Sequence, residues 1–274
     1  MTQTYETDVQ TGRAKTTTAN VEPSGFVWYE LHTPDVATAA AFYEPVLGWA
    51  TRDAGVPNRR YALVCVGETP IGGLLEKPAA GLAAGDKARW VGYIGVHDVR
   101  QLSRRVQEAG GIVHRAAEEI SGVGTFAVVA DPQGAIFVLF QPPPGMTRPE
   151  QPDALTLGMP AWHELAAIDW RSDFEFYAEL FGWTKGQAFD MGPDSVYQLF
   201  AVAGRTIGGM MTLPSPAQGS GWMFYFQVEE LEAAIDRVKE NGGLVVYGPS
   251  VVPGGQQIAH CLDKQGASFG MVGS

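Results

Sequence analysis

Trp28, Glu30 and His32 stand on alternate positions of FVWYELHT, and Trp162, Glu164 and Ala166 repeat the pattern in PAWHELAA. In a strand, residues two apart share a face, so each set presents an indole and a carboxylate to the same side of a sheet. A carboxylate facing apolar surroundings can accept hydrogen bonds from a ligand, pair with a cation, or act as a general base with a raised pKa. Glu30 and Glu164 are therefore the candidate catalytic residues. A structural use stays open beside that one, in which each bonds a neighbouring hydroxyl, amide or indole and only orients the sheet. Trp28, His32 and Trp162, with Trp90 and Tyr93 of RWVGYIGV and Trp222 and Tyr225 of GWMFYFQV, are the candidate ligand-binding residues. Aromatic rings bury about 150–250 Å² each and prefer offset stacking, so a hollow lined by them suits a planar aromatic ligand; core filling is their other common use.

The elements that position these residues are written twice. FYEPVLGW at 42–49 recurs as FYAELFGW at 176–183, PIGG as TIGG, and DPQGAIF as DKQGASF, at offsets of 132 to 136 residues. Such repetition means two copies of one domain. The expected organisation is an N-terminal arm over 1–24, a first domain over 25–142, a proline-rich linker over 143–157 and a second domain over 158–274. Within the first half, a strand in FVWYELHT leads to a helix opened by Pro34-Asp35 and ended by Gly48. Strands follow near 50–53, 60–66 and 70–76. The order then restarts with a strand at 90–96, a helix at 99–109 and strands near 112–115, 124–130 and 135–141. The fold class read from this order is α+β, with four tandem βαβββ modules.

That order, with FY…LGW after the first helix and DPQG before the last strand, resembles the vicinal oxygen chelate superfamily, which contains glyoxalase I, extradiol dioxygenases and bleomycin-resistance proteins. The paired WxEL strands resemble a two-domain actinobacterial branch that includes the mycobacterial 27 kDa antigen and proteins labelled glyoxalase-like or hydroxylase. The resemblance implies curved, open sheets whose concave face holds a substrate or a metal. In the metal-binding members, ligands sit at four inward positions. Here those positions fall on Trp28 and Trp162, about Val91 and Met223, about Val138 and Gly270, and near Leu74 and Met210, none of which ligates a hard or borderline cation. No HxH or HExxH motif joins the five histidines, and His163 is sent to the face opposite Trp162. The expectation is no metal and no cofactor.

Bulk properties narrow the partners. A net charge of −11 with no basic stripe disfavours nucleic acid and anionic membrane surfaces. No apolar run is long enough to span a bilayer, and the polar first residues lack a signal-peptide core, so a cytoplasmic location is expected. Cys65 and Cys261 read as buried free thiols. The preferred function is binding of an apolar, aromatic small molecule such as an antibiotic or polyketide intermediate, by a monomer or homodimer. The alternative is a metal-independent enzyme of secondary metabolism, hydroxylase-like or isomerising, with a metal-dependent lyase or dioxygenase ranked last.

Overall fold

The structure is a computed structural model that describes residues 24–57, 59–78, 81, 87–146, 153–192 and 195–274. The expected arm lies outside the described residues except for Ser24, as do residues 147–152 of the expected linker. The first half runs β1 (Phe26–Thr33), α1 (Val36–Leu47), β2 (Ala50–Asp53), β3 (Tyr61–Val66), β4 (Thr69–Glu76), β5 (Arg89–Gly95), α2 (Val99–Glu108), β6 (Ile112–Ile120), β7 (Gly124–Ala130) and β8 (Ile136–Gln141). The second half repeats it as β9 (Pro160–Ala167), α3 (Trp170–Phe181), β10 (Thr184–Asp190), β11 (Val196–Val202), β12 (Arg205–Thr212), β13 (Gly221–Gln227), α4 (Leu231–Glu240), β14 (Leu244–Val251), β15 (Gln257–Leu262) and β16 (Ser268–Gly273). Each half builds its own eight-stranded mixed sheet, ordered β2-β3-β4-β1-β5-β8-β7-β6 and β10-β11-β12-β9-β13-β16-β15-β14. The α+β fold of four βαβββ modules in two curved, open sheets is thus the one observed.

Local chemistry sets the element ends. The Asp35 carboxylate accepts the Thr38 amide at 2.8 Å and Asp98 accepts the Gln101 amide at 2.8 Å, which start α1 and α2. Gly48 and Gly182 end α1 and α3 in the left-handed region, at φ 72° and 69°. β6 extends to Ile120, five residues beyond the expected 112–115. It is an edge strand largely exposed on both faces, so HRAAEEI shows no alternation that would reveal it.

The inner faces of both sheets and the four helices enclose one shared core, and the halves grip each other reciprocally. Trp90 Nε1 donates to Tyr43 Oη at 3.0 Å, and that hydroxyl donates to Asp263 of the opposite half at 3.1 Å. Trp222 donates to Tyr177 at 3.0 Å and Tyr177 to Asp131 at 3.0 Å in the mirrored arrangement. The two aspartates are those of DPQG and DKQG, whose other carboxylate oxygen holds its own turn through the amides of Ala135 and Ala267. Arg105 donates to the Glu179 carbonyl at 2.9 Å and Arg237 to the Val46 carbonyl at 3.2 Å, each serving the last turn of a helix in the other half. At the middle of the seam, the Tyr29 hydroxyl lies 2.6 Å from His163 Nε2. No helix among the described residues is long and apolar enough to cross a membrane. Both cysteines are free and buried, as expected.

Candidate functional site

We term the face of each curved sheet turned away from the shared core its cup. In the first cup, Trp28, Glu30 and His32 of β1 stand opposite Tyr93, Val91 and Arg89 of β5, and Glu30 and His32 stand beside Gly73 and Leu75 of β4. Cross-strand partners share a face, so these side chains converge. Tyr93 Oη donates to Glu30 Oε1 at 2.8 Å, and His32 Nε2 lies 2.8 Å from the same oxygen. Trp28 Nε1 donates to Tyr61 Oη at 3.2 Å. The Tyr61 phenol feels the nearby Glu30 charge, so indole, phenol and carboxylate stand in a chain. Burial, and then the nearby Glu30 charge, pushes both phenols above their usual range, so each stays a neutral donor. Glu30 is only 6% exposed, and Tyr93 and His32 compensate its burial.

The second cup repeats the chain with changes. Trp162 Nε1 donates to Tyr197 Oη at 2.7 Å, and Tyr197 donates to Glu164 Oε2 at 3.0 Å. The Tyr225 hydroxyl stands near Glu164 and lies 2.6 Å from His260 Nε2. Burial raises the Glu164 carboxyl while the two tyrosines hold it down, and no histidine stands where His32 does, because that place is Ala166. Burial lowers His260 as well, which favours the neutral imidazole.

The structure therefore brings together Trp28, Glu30, His32 and Tyr93 in one cup, and Trp162, Glu164 and Tyr225 in the other, with Tyr225 fully buried beneath its cup's surface. It does not bring Trp90 and Trp222 there. Trp90 pairs in register with Leu31 and Trp222 with Leu165, so both indoles enter the shared core, where Trp90 packs on Tyr43, Trp49 and Phe226. Tyr93 stands three positions after Trp90, and that odd spacing puts them on opposite faces of β5.

Tyr61 and Tyr197 are cup residues that the sequence reading missed. They stand in the first two positions of β3 and β11 and lean across the neighbouring strand, which requires glycine there. A Cβ at Gly73 would lie 2.1 Å from Tyr61 Oη, and one at Gly209 would lie 2.3 Å from the Tyr197 ring. The second glycine of PIGG and TIGG carried that signal.

The residues present do not fit a divalent cation. Leu74 and Met210 pair in register with Leu31 and Leu165 and point into the core, so Gly73 and Gly209 are the residues of that strand beside Glu30 and Glu164. At Gly270 any side chain would strike the Tyr225 ring, 2.3 Å from a Cβ, so a ligating carboxylate has no room. Trp28 and Trp162 offer indole donors already spent on Tyr61 and Tyr197. Among the described residues no group of three or more His, Cys, Asp or Glu side chains is placed to hold a metal ion.

Known proteins share this architecture. The chain is 27% identical over 249 residues to the putative glyoxylase CFP32 of Mycobacterium tuberculosis, covering 89% of this chain and 93% of that one. It is 28% identical over 267 residues to the anthracycline biosynthesis protein DauV of Streptomyces sp. strain C5, covering 91% and 93%. The Mn(II)-bound glyoxalase from Novosphingobium aromaticivorans superposes with a TM-score of 0.60 at 16% identity, over 92% of this chain and 82% of that one, a likeness of fold alone. With two matches to one family model, over residues 25–139 and 162–271, the chain belongs to the Glyoxalase/Bleomycin resistance protein/Dioxygenase superfamily.

Proposed function

We propose that this chain binds a planar aromatic small molecule in its cups, without a divalent metal. The observation that carries the reading is the set of tryptophan, glutamate and two tyrosines, tied by hydrogen bonds within each cup and present in both, on the face that the superfamily resemblance implies for a ligand. Trp28 and Trp162 are half-buried and have their N–H groups fixed, which holds each ring for stacking at little entropic cost. The tyrosine hydroxyls and the carboxylates supply acceptors and donors for hydroxyl or carbonyl groups on the ligand rim. A relative named for anthracycline biosynthesis is consistent with a polycyclic ligand. Titration with a planar quinone such as 1,4-dihydroxyanthraquinone, followed by tryptophan quenching and mass spectrometry, tests this. Saturable quenching with the quinone recovered unchanged, weakened by Trp28→Ala or Trp162→Ala, supports binding; quenching insensitive to both substitutions refutes it.

A second reading rests on the contact of His32 with Glu30. A base with a proton outlet can isomerise a ligand: Glu30 would take a proton from an acidic C–H, and the proton would return at another atom of the ligand, with His32 exchanging it with solvent. Turnover lost in Glu30→Gln with binding retained favours this reading over simple sequestration.

A further inference from the structure

We propose that the two cups have diverged in charge, so that the first accepts planar aromatics bearing an ionised acid group and the second accepts only uncharged ones. The inference rests on aromatic binding as proposed above and adds the ligand class that each cup selects. Its basis is a position-by-position comparison of the halves. The shared set Trp, Glu and two Tyr is constant, so differences in selectivity must come from what surrounds it.

Besides Arg89, whose counterpart is Gly221, three differences matter. His32 becomes Ala166, so the carboxylate is screened by an imidazole in the first cup and bare in the second. Arg115 of β6 becomes Tyr247 of β14. The Arg115 guanidinium stands 5.3 Å over the Phe126 ring and its positive charge reaches the Tyr93 phenol. Glu118 holds one nitrogen of this fork from the rim, and the guanidinium carries five N–H donors in all. At the matching places Tyr247 donates to Ser250 at 3.0 Å, so an ion pair has been replaced by a neutral hydrogen bond. Finally, Val128 becomes His260, whose Nε2 is engaged by Tyr225 and whose burial favours the neutral ring.

An anion entering the first cup meets the Arg115 guanidinium, which the Phe126 ring supports from one side. An anion entering the second cup meets Glu164 with no cation among the residues aligned with His32 and Arg115. Because the guanidinium is about half exposed, its substitution removes charge without disturbing the core.

The test uses two probes of one shape, 2-naphthoate and 2-naphthamide, titrated calorimetrically into the full chain at low salt. Naphthoate is expected to bind at one site per chain and to weaken at least tenfold in Arg115→Gln, while naphthamide changes by less than about twofold in that variant; His32→Ala is expected to weaken naphthoate more than naphthamide. Exchanging the second cup toward the first, with Ala166→His and Tyr247→Arg together, is expected to create a second naphthoate site. If both probes bind alike and Arg115→Gln leaves naphthoate unchanged, the charge assignment falls while aromatic binding stands. Naphthoate filling two sites in the unaltered chain also overturns it. If neither probe binds, both the assignment and the binding reading fall.

Discussion

Replacing Asp173 by asparagine is expected to stabilise the protein, and more so as pH rises. Asp173 lies in the first turn of α3, fully buried, and neither carboxylate oxygen has a hydrogen-bond partner. Burial, then Asp131, then Asp169 push its carboxyl up to about 8, with the Gln133 amide opposing weakly. The folded group thus keeps its proton to about pH 8, whereas in the unfolded chain it ionises near 4. Stability from this group is therefore fully present below the unfolded value and is lost as pH rises toward the folded one, by up to about 1.4 kcal/mol per pH unit. Between pH 5 and 8 that limit is about 4 kcal/mol, and allowing for relaxation and water penetration around the buried charge halves it to about 2 kcal/mol. The amide that replaces the carboxyl in Asp173→Asn does not titrate, so the variant should gain about 2 kcal/mol over the native chain between those pH values, or about 4–8 °C in Tm. The equivalent position in α1 is Ala39, also buried, so Asp173→Ala offers a second variant with no polar group. Thermal melts of the three chains at pH 5, 6.5 and 8 provide the measurement. A stability difference that does not grow with pH, or a loss in Asp173→Asn at pH 8, would refute the reasoning.

Gly73→Ala is expected to displace the Tyr61 phenol, cut the Trp28–Tyr61 bond and weaken ligand quenching, at a cost of about 1–3 kcal/mol for overpacking; Tyr61→Phe, which restores space, separates the steric effect from the lost hydroxyl. His163, driven to about 4 chiefly by burial, is neutral in the fold and gains its stability above the ordinary histidine range, so native stability should fall as pH drops from about 6.5 to 4. In urea melts, His163→Phe should flatten that part of the acid dependence, and an unchanged profile would count against it. Tyr43→Phe and Tyr177→Phe should each cost about 1–3 kcal/mol by leaving a buried aspartate oxygen and an indole N–H unpaired, measured in the same melts.

The module order was legible because each element carries its own punctuation: aspartates before helices, Gly48 and Gly182 after them, and aromatic alternation in β1 and β9. Strand parity likewise put Trp28, Glu30 and His32 on one face from sequence alone. The same rule, applied from Trp90 to Tyr93, would have sent those two apart, and Trp90 and Trp222 belong to the core for that reason. Leu74 and Met210 were misplaced because register between β4 and β1 is a property of pairing, which no single strand records. Tyr61 and Tyr197 reach the cups across a neighbouring strand, so the only local trace of them is the glycine that makes room. The joining of α1 to α4 and of α2 to α3 has no local trace at all, since its hydrogen bonds link residues 191 and 74 positions apart.

Tyr29 and His163 occupy corresponding places in the two copies, 134 residues apart, and they bond to each other. The same holds for Gly92 and Phe224, where a Cβ on the glycine would lie 2.7 Å from the Phe224 ring. A pair of identical copies would bring Tyr against Tyr or His against His, and Phe against Phe, at these points. One gene encoding both partners has allowed lock and key to be assigned to opposite sides. Expressed as separate fragments, the two halves should prefer each other over their own kind.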